Sequence, residues 1–245
     1  MENPVLKVRP FRVEELKWES LNIFTVVVVP VDPADMIRFL PGQWVYLHLL
    51  NPDGTTWARA ALSIATAPSQ SADRFELTIK MHGDYTKRAS QLQPDDIVGI
   101  QGPFGVFVLK EQANPIVIFA GGIGITPFRS MIHELHQKKS PSKVYLFYSN
   151  RDHEDTAFYE EFDDLNKDWP SFTPIFTLTG KDIPARWKGE TGRIHGSLIQ
   201  KHVPDFAEAD ILMCGPLSFM DAIAFELDAI GVNTKKQLRK ELFGN

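Results

Sequence analysis

Short β-branched and aromatic runs separated by turn residues fill the first part of the chain. They are Ile23 to Val29, Trp44 to Leu49, Phe75 to Lys80 and Ile97 to Ile100, with breakers at Pro33, Pro41-Gly42, Asn51-Pro52-Asp53-Gly54 and Pro94-Asp95-Asp96 between them. Strands at this close spacing, with little helix, predict an antiparallel barrel or sandwich. From Asn114 the rhythm changes. Apolar strands are now followed by helical patterns: Pro115 to Ala120 then Thr126 to Gln137, Lys143 to Ser149 then Thr156 to Leu165, and Ile211 to Met213 then Ser218 to Ile230. That alternation predicts a parallel sheet covered by helices, so the fold class is a two-domain β plus α/β protein. The boundary falls near Leu109 to Asn114, giving domains at 1–110 and 111–245.

Composition narrows the chemistry. The 245 residues carry 26 Lys+Arg against 31 Asp+Glu, a formal charge of -5, so no overall field favours a polyanion and no nucleic-acid partner is expected. The single cysteine, Cys214, excludes a disulfide framework, a cysteine-ligated zinc site and a four-cysteine iron–sulfur cluster within the chain. No metal site is expected, and any electrons must be held by another cofactor. Met1 to Phe11 has no apolar core of signal-peptide length, and Ile23 to Val31 is too short to cross a bilayer, so a cytoplasmic protein without a membrane span is expected.

The most informative segment is Ile116 to Pro127. A continuous apolar strand runs into Gly121, Gly122 and Gly124, and a helix follows with Thr126 as cap and Pro127 in its first turn. Glycines at this place permit close backbone approach, and the amides of a helix start can hold a pyrophosphate; Pro127 stands where the third glycine of the dinucleotide turn would be. The alternative is a tight strand-to-helix turn with no ligand. A second buried strand, Asp210 to Met213, leads into Cys214, Gly215 and Pro216 before another helix. Ligands of open α/β sheets bind at the carboxyl ends of strands, so the two turns are candidates for one crevice. Cys214 has no adjacent His or Lys and is not read as a nucleophile; a small buried hydrophobe is its bland alternative.

The ordered segments Pro41-Gly42-Gln43-Trp44, Ser63-Ile64-Ala65, Gly83 to Thr86, Gly102-Pro103-Phe104-Gly105, Gly121 to Pro127, Cys214-Gly215-Pro216 and Glu241-Leu242-Phe243 resemble the ferredoxin–NADP reductase-like flavoenzymes. The resemblance runs from about Leu6 to Phe243. It implies a six-stranded antiparallel Greek-key barrel that binds FAD, or FMN, and an α/β domain that binds NAD(P)H as electron donor. It also implies a separate electron acceptor: a ferredoxin, a flavodoxin, an oxygenase component or a small oxidant. By the same resemblance Ser63 lies beside the flavin N5, Leu62 stands at the ring-stacking aromatic position, and Ile64 and Ala65 continue the cofactor strand. His82, Gly83, Thr86 and Lys87 form the turn under the pyrophosphate, with Arg88 as an alternative charge.

The motif departs from the family at one place. Three residues before Ser63 the family carries an arginine for the flavin phosphate, and here that position is Ala60, with Arg59 one step early. One step along a strand turns a side chain to the other face, so either a bulge re-aims Arg59 or other groups hold the cofactor. On the nicotinamide side, Ser149 and Arg151 suit a 2′-phosphate and lean toward NADP, with Asp152 and Glu154 as rival partners of Arg151. Glu241 and Phe243 match a late carboxylate and aromatic placed over the rings, and with Ser63 and Cys214 they complete the catalytic candidates. The expected activity is hydride transfer from NAD(P)H to bound flavin. A non-catalytic partner-binding subunit and a reductase using free flavin are the alternatives.

Overall fold

The structure is a computed structural model that describes residues 5–110, 115–204 and 206–242. Two compact units result: Met1–Leu109 together with Thr126–Gln137, and Lys110–Ile125 together with Lys138–Asn245. The helix after the glycine turn therefore groups with the first unit, which a single cut at residue 110 does not express.

The first unit is built on six antiparallel strands: β1 (Arg9–Trp18), β2 (Ile23–Pro30), β3 (Trp44–Leu50), β4 (Thr56–Ser63), β5 (Phe75–Lys80) and β6 (Ile97–Phe104). Their order is β4-β3-β6-β1-β2-β5, with β6 returning between β1 and β3 as in a Greek key. The sheet closes where Ile64 bridges Leu77 and the Ala65 amide donates to the Glu76 carbonyl at 2.9 Å. Closure removes exposed edges and leaves one interior, filled by Phe11, Phe24, Val45, Leu47, Phe75 and their neighbours. β2 is buried along its whole apolar run from Ile23 to Val28, because its outer face is covered as well. Thr25 is tolerated there through bonds to Thr78 at 2.9 Å and Glu19 at 2.6 Å. Helix α1 (Gly83–Ala89) follows β5.

Helix α2 (Thr126–Gln137) is fastened to the segment just after Ser63. Ser130 Oγ donates to the Thr66 carbonyl at 2.7 Å, the Ser69 amide donates to Glu134 at 2.9 Å, and Arg129 pairs with Glu76.

The second unit holds a parallel sheet of β7 (Ile116–Gly121), β8 (Val144–Asn150), β9 (Phe172–Leu178), β10 (Glu190–Thr191), β11 (Asp210–Cys214) and β12 (Leu238–Glu241), in the order β10-β9-β8-β7-β11-β12. Central β7 is buried on both faces, as its unbroken apolar sequence requires. Helices α3 (Tyr159–Asp168), α4 (Gly196–His202) and α5 (Leu217–Ala229) belong to this unit. The first of these starts later than the predicted 156–165 because Phe158 adopts a left-handed φ of 63 ahead of it.

Candidate functional site

In the parallel sheet the chain proceeds outward from β7 through β8, β9 and β10 on one side, and from β11 to β12 on the other. The point where the direction reverses lies between β7 and β11, and there a crevice opens at the carboxyl ends of such sheets. Both glycine turns of the sequence end these two strands. Gly124 packs so closely against the second turn that a β-carbon on it would stand 2.4 Å from the Cys214 carbonyl oxygen and 2.8 Å from the Gly215 nitrogen. Only glycine fits. Gly122 has the opposite surroundings: its φ is +54, and a β-carbon would meet nothing within 4 Å, so its flank is open space that a ligand can enter. A short 3-10 turn over Gly122–Ile125 then leads into α2. Thr126 is the first residue of that helix instead of its cap, and both it and Pro127 are buried.

Cys214 and Glu241 are direct partners in the parallel ladder of β11 and β12. Their proximity comes from a pairing across 27 positions that no local pattern signals. Cys214 is fully buried, and burial followed by the Glu241 charge pushes its thiol well above the ordinary range, so it stays protonated. Burial also raises the Glu241 carboxyl. Phe243 lies outside the described residues.

Ser149 is in register with Gly121 on one side and Thr177 on the other. Thr177 was not singled out in the sequence, yet its hydroxyl is buried without a hydrogen-bond partner at the carboxyl end of β9. An unmet polar atom beside Ser149, the open flank of Gly122 and the forced contact at Gly124 together fit a dinucleotide. Arg151 is 83% exposed, and its nearest carboxylate is Asp152 at 3.9 Å, too long for a directed bond. Glu154 does not claim it.

In the barrel, β3 and β4 pair without interruption from Trp44 opposite Ser63 to Leu49 opposite Ala58, and the irregularity comes only at Leu49/Leu50. The bulge that would re-aim Arg59 is therefore absent. Arg59 lies on the face of His48 and Tyr46, its guanidinium 4.2 Å from the Tyr46 ring centre and donating to Gln101 Oε1 at 3.1 Å. Ala60 and Leu62 alternate to the opposite face, paired with the core residues Leu47 and Val45. There Tyr85, another residue the sequence did not flag, packs against the core and donates its hydroxyl to the Leu47 carbonyl at 2.7 Å.

Ser63 is 5% exposed, and its hydroxyl has no partner among the described residues. The next two residues are committed elsewhere: the Ile64 amide to Gln43 O at 3.0 Å and the Ala65 amide to Glu76 O at 2.9 Å, with both side chains in the interior. They shape the strand and have no free donor for a cofactor. At the second turn Gly83 has a φ of +78 and open space beside it. The Thr86 hydroxyl accepts from the His82 amide at 2.6 Å and donates to the Gly83 carbonyl at 3.1 Å, so it closes its own turn. Arg88 stacks on Trp57 and donates to the Leu50 carbonyl, which leaves exposed Lys87 as the cation available in this turn, alongside the carboxylate of Asp84. A flavin is thus matched by Ser63, the Gly83 turn and Lys87, without an arginine or an aromatic from β4. Among the described residues no group of three or more His, Cys, Asp or Glu is arranged to hold a metal, and no helix is long and apolar enough to cross a membrane.

Comparison with known proteins shows the same pair of domains. Residues 10–109 match the oxidoreductase FAD-binding domain and residues 118–224 the oxidoreductase NAD-binding domain. The chain is 28% identical to a flavohemoprotein of Deinococcus radiodurans over 96% of its own length and 59% of that protein's. It is 27% identical to the reductase component of propane 2-monooxygenase of Mycolicibacterium smegmatis, over 92% of its length and 65% of the other's. It thus spans about three fifths of these two relatives. The FAD/NAD-binding domain of a nitric oxide dioxygenase from Vibrio cholerae superposes with a TM-score of 0.85 at 21% identity, covering 97% of this chain and 99% of that one, which establishes the shared fold.

Proposed function

Because this chain belongs to the oxidoreductases that join an FAD-binding to an NAD-binding domain, the ferredoxin–NADP reductase-like family, we propose that it is an NAD(P)H-dependent flavin reductase serving a separate electron acceptor. The observation that carries the reading is the meeting of the Gly124 turn, Cys214 and Glu241 at the reversal point of the parallel sheet. When bound, a flavin takes a hydride from a nicotinamide and releases the electrons singly or as a pair.

The chain's own residues have distinct tasks in this reading. The Gly122 turn offers backbone amides to the pyrophosphate, and Ser149 with Arg151 receives a 2′-phosphate, which favours NADPH over NADH. Ser63 is able to donate or accept, so one hydroxyl follows a change of protonation at the atom beside it. Glu241, with its carboxyl raised by burial, holds a proton to higher pH than an exposed glutamate and is the group suited to exchange one. Cys214 stays a neutral thiol and contributes shape.

The acceptor is a ferredoxin, a flavodoxin, an oxygenase component or a small oxidant. One fact supports a separate molecule: a relative of this chain is itself the reductase component of a monooxygenase. The test is anaerobic addition of NADPH or NADH to protein reconstituted with FAD or FMN. Bleaching of the flavin's visible band is expected; protein that binds flavin and nucleotide without bleaching overturns the reading.

The opposed faces of Arg59 and Ala60 favour a second reading, in which flavin exchanges freely and serves as a substrate. Loss of flavin on dialysis, with activity restored in proportion to added flavin, distinguishes it from a tightly held cofactor.

A further inference from the structure

The outer face of helix α5 carries a pattern that the flavin and nucleotide chemistry leaves unused. Met220, Ile223 and Leu227, at three- and four-residue spacing, are buried and supply the apolar face the helix needs. Leu217, Asp221, Phe225 and Asp228 repeat at the same spacing on the exposed side. Phe225 is 71% exposed and Leu217 64%, two large apolar side chains on one stripe. The only polar residues of α5 are Ser218, Asp221, Glu226 and Asp228. A helix this apolar around its circumference is ordinarily covered on every side.

Two of its three carboxylates are committed. Glu226 accepts from the Gly196 amide at 2.7 Å and so ties α5 to α4, and Asp228 accepts from the Thr234 hydroxyl at 2.6 Å. The second bond fixes a short helix, α6 (Thr234–Gln237), against the carboxyl end of α5. Asp221 forms no ion pair among the described residues, and neither do the exposed Lys235 and Lys236 of α6. One surface thus bears an unmet negative charge on one side of an exposed aromatic ring and unmet positive charges on the other. Ala222 and Ala229 flank that ring one turn to either side, small enough for a second helix to lie against it.

A surface with both signs about an apolar centre is complementary to itself. Asp221 stands four residues before Phe225, and Ala229, the last residue of the helix, four after, each about 6 Å along the axis. A two-fold axis beside Phe225 that sets two α5 helices antiparallel lays Asp221 of each copy against the helix end of the other, where α6 presents Lys235 and Lys236. We propose that α5 and α6 form the contact of a two-fold dimer of this chain, with the two Phe225 rings packed at its centre and each Asp221 paired across it with those lysines. An acidic partner would be repelled by Asp221 and a basic one by Lys235 and Lys236, whereas a second copy satisfies both. One helix and one further turn make a small interface, which places the dimer in the weak, reversible class. The contact is independent of hydride transfer, so its failure would leave the flavin reductase reading untouched.

The experiment is sedimentation equilibrium of the flavin-reconstituted chain from about ten micromolar to about one millimolar, the span in which a weak dimer forms. The average mass is expected to rise from that of one chain toward that of two. Phe225→Glu should weaken association about tenfold or more, and Asp221→Lys should do the same by facing cations with a cation. Combining Asp221→Lys with Lys235→Asp and Lys236→Asp exchanges the signs and should restore the dimer. All four side chains are exposed, so unchanged melting and unchanged flavin bleaching in these variants show that they remain folded. The mass of one chain at every concentration, an unaltered association constant in Phe225→Glu, or failure of the exchanged charges to restore association each overturns the proposal.

Discussion

Gly124 and Cys214 meet backbone to backbone: a single added carbon on Gly124 would stand 2.4 Å from the Cys214 carbonyl oxygen. Neither partner is the flexible end of a side chain, so one turn would have to move. Gly124→Ala is expected to destabilise the second unit by about 1–3 kcal/mol, the usual cost of forcing atoms into a packed site. Gly122→Ala meets no clash and bears only the left-handed backbone cost of about 1–2 kcal/mol, but its methyl enters the space offered to the ligand. Thermal melting together with NADP+ titration should therefore separate them, with Gly122→Ala losing more affinity than melting temperature. Equal loss of affinity and stability in both would show that Gly122 does not border the nucleotide.

Arg59 and Ala60 make a second pair of opposites. Arg59→Ala removes the contact with Tyr46 and is expected to cost about 1 kcal/mol of stability while leaving flavin affinity unchanged. Ala60→Arg restores a cation on the other face and should raise FAD affinity about tenfold or more, most clearly with Tyr85→Val, which clears the space beside it. Flavin fluorescence titration measures both. Flavin loss on Arg59→Ala would place that arginine at the phosphate after all.

His48 is 4% exposed beneath the barrel's outer face, with Nε2 3.3 Å from Gln101 Oε1 and Nδ1 3.2 Å from the Thr56 hydroxyl. Burial lowers its pKa, the Gln101 bond opposes that, and the Arg59 charge lowers it further. The unfolded chain therefore takes up a proton near its ordinary value of about 6.5 while the folded chain does not. Stability is full above that pH and falls as pH drops from it toward the lower folded value. Urea unfolding between about pH 7.5 and pH 5.5 should show a shallower pH slope for His48→Gln than for the unaltered chain. His202, also lowered by burial, accounts for part of the slope that remains.

Arg151 is the residue to alter for nucleotide choice. With Asp152 no closer than 3.9 Å its guanidinium is available, and Arg151→Ala should lower kcat/KM for NADPH about tenfold while sparing NADH. A parallel loss with both nucleotides in steady-state reduction assays would remove the 2′-phosphate from its role.

The runs Trp44 to Leu49 and Phe75 to Lys80 were legible as strands because each alternates or saturates with β-branched and aromatic residues over its own length. The glycine turn after β7 was legible because its turn chemistry is local. β12 was not predicted as an element, and β4 was read as a strand only through the family resemblance. β4 is alanine-rich, and Leu238-Arg239-Lys240-Glu241 reads as a polar tail; each is a strand because a neighbour in space completes its hydrogen bonds. β9, likewise absent from the predicted elements, carries Pro174, which the open edge away from β8 tolerates.

The order of residues by itself determined the two rhythms of the chain, both glycine turns and the mismatch at Ala60, since each is written within a few consecutive positions. Tertiary structure alone decided that Arg59 joins Tyr46 and Gln101, that Cys214 lies beside Glu241 and that Gly124 bears on the Cys214 carbonyl. Those outcomes depend on strand register and on contacts between distant segments, and register is set by which faces the whole sheet buries.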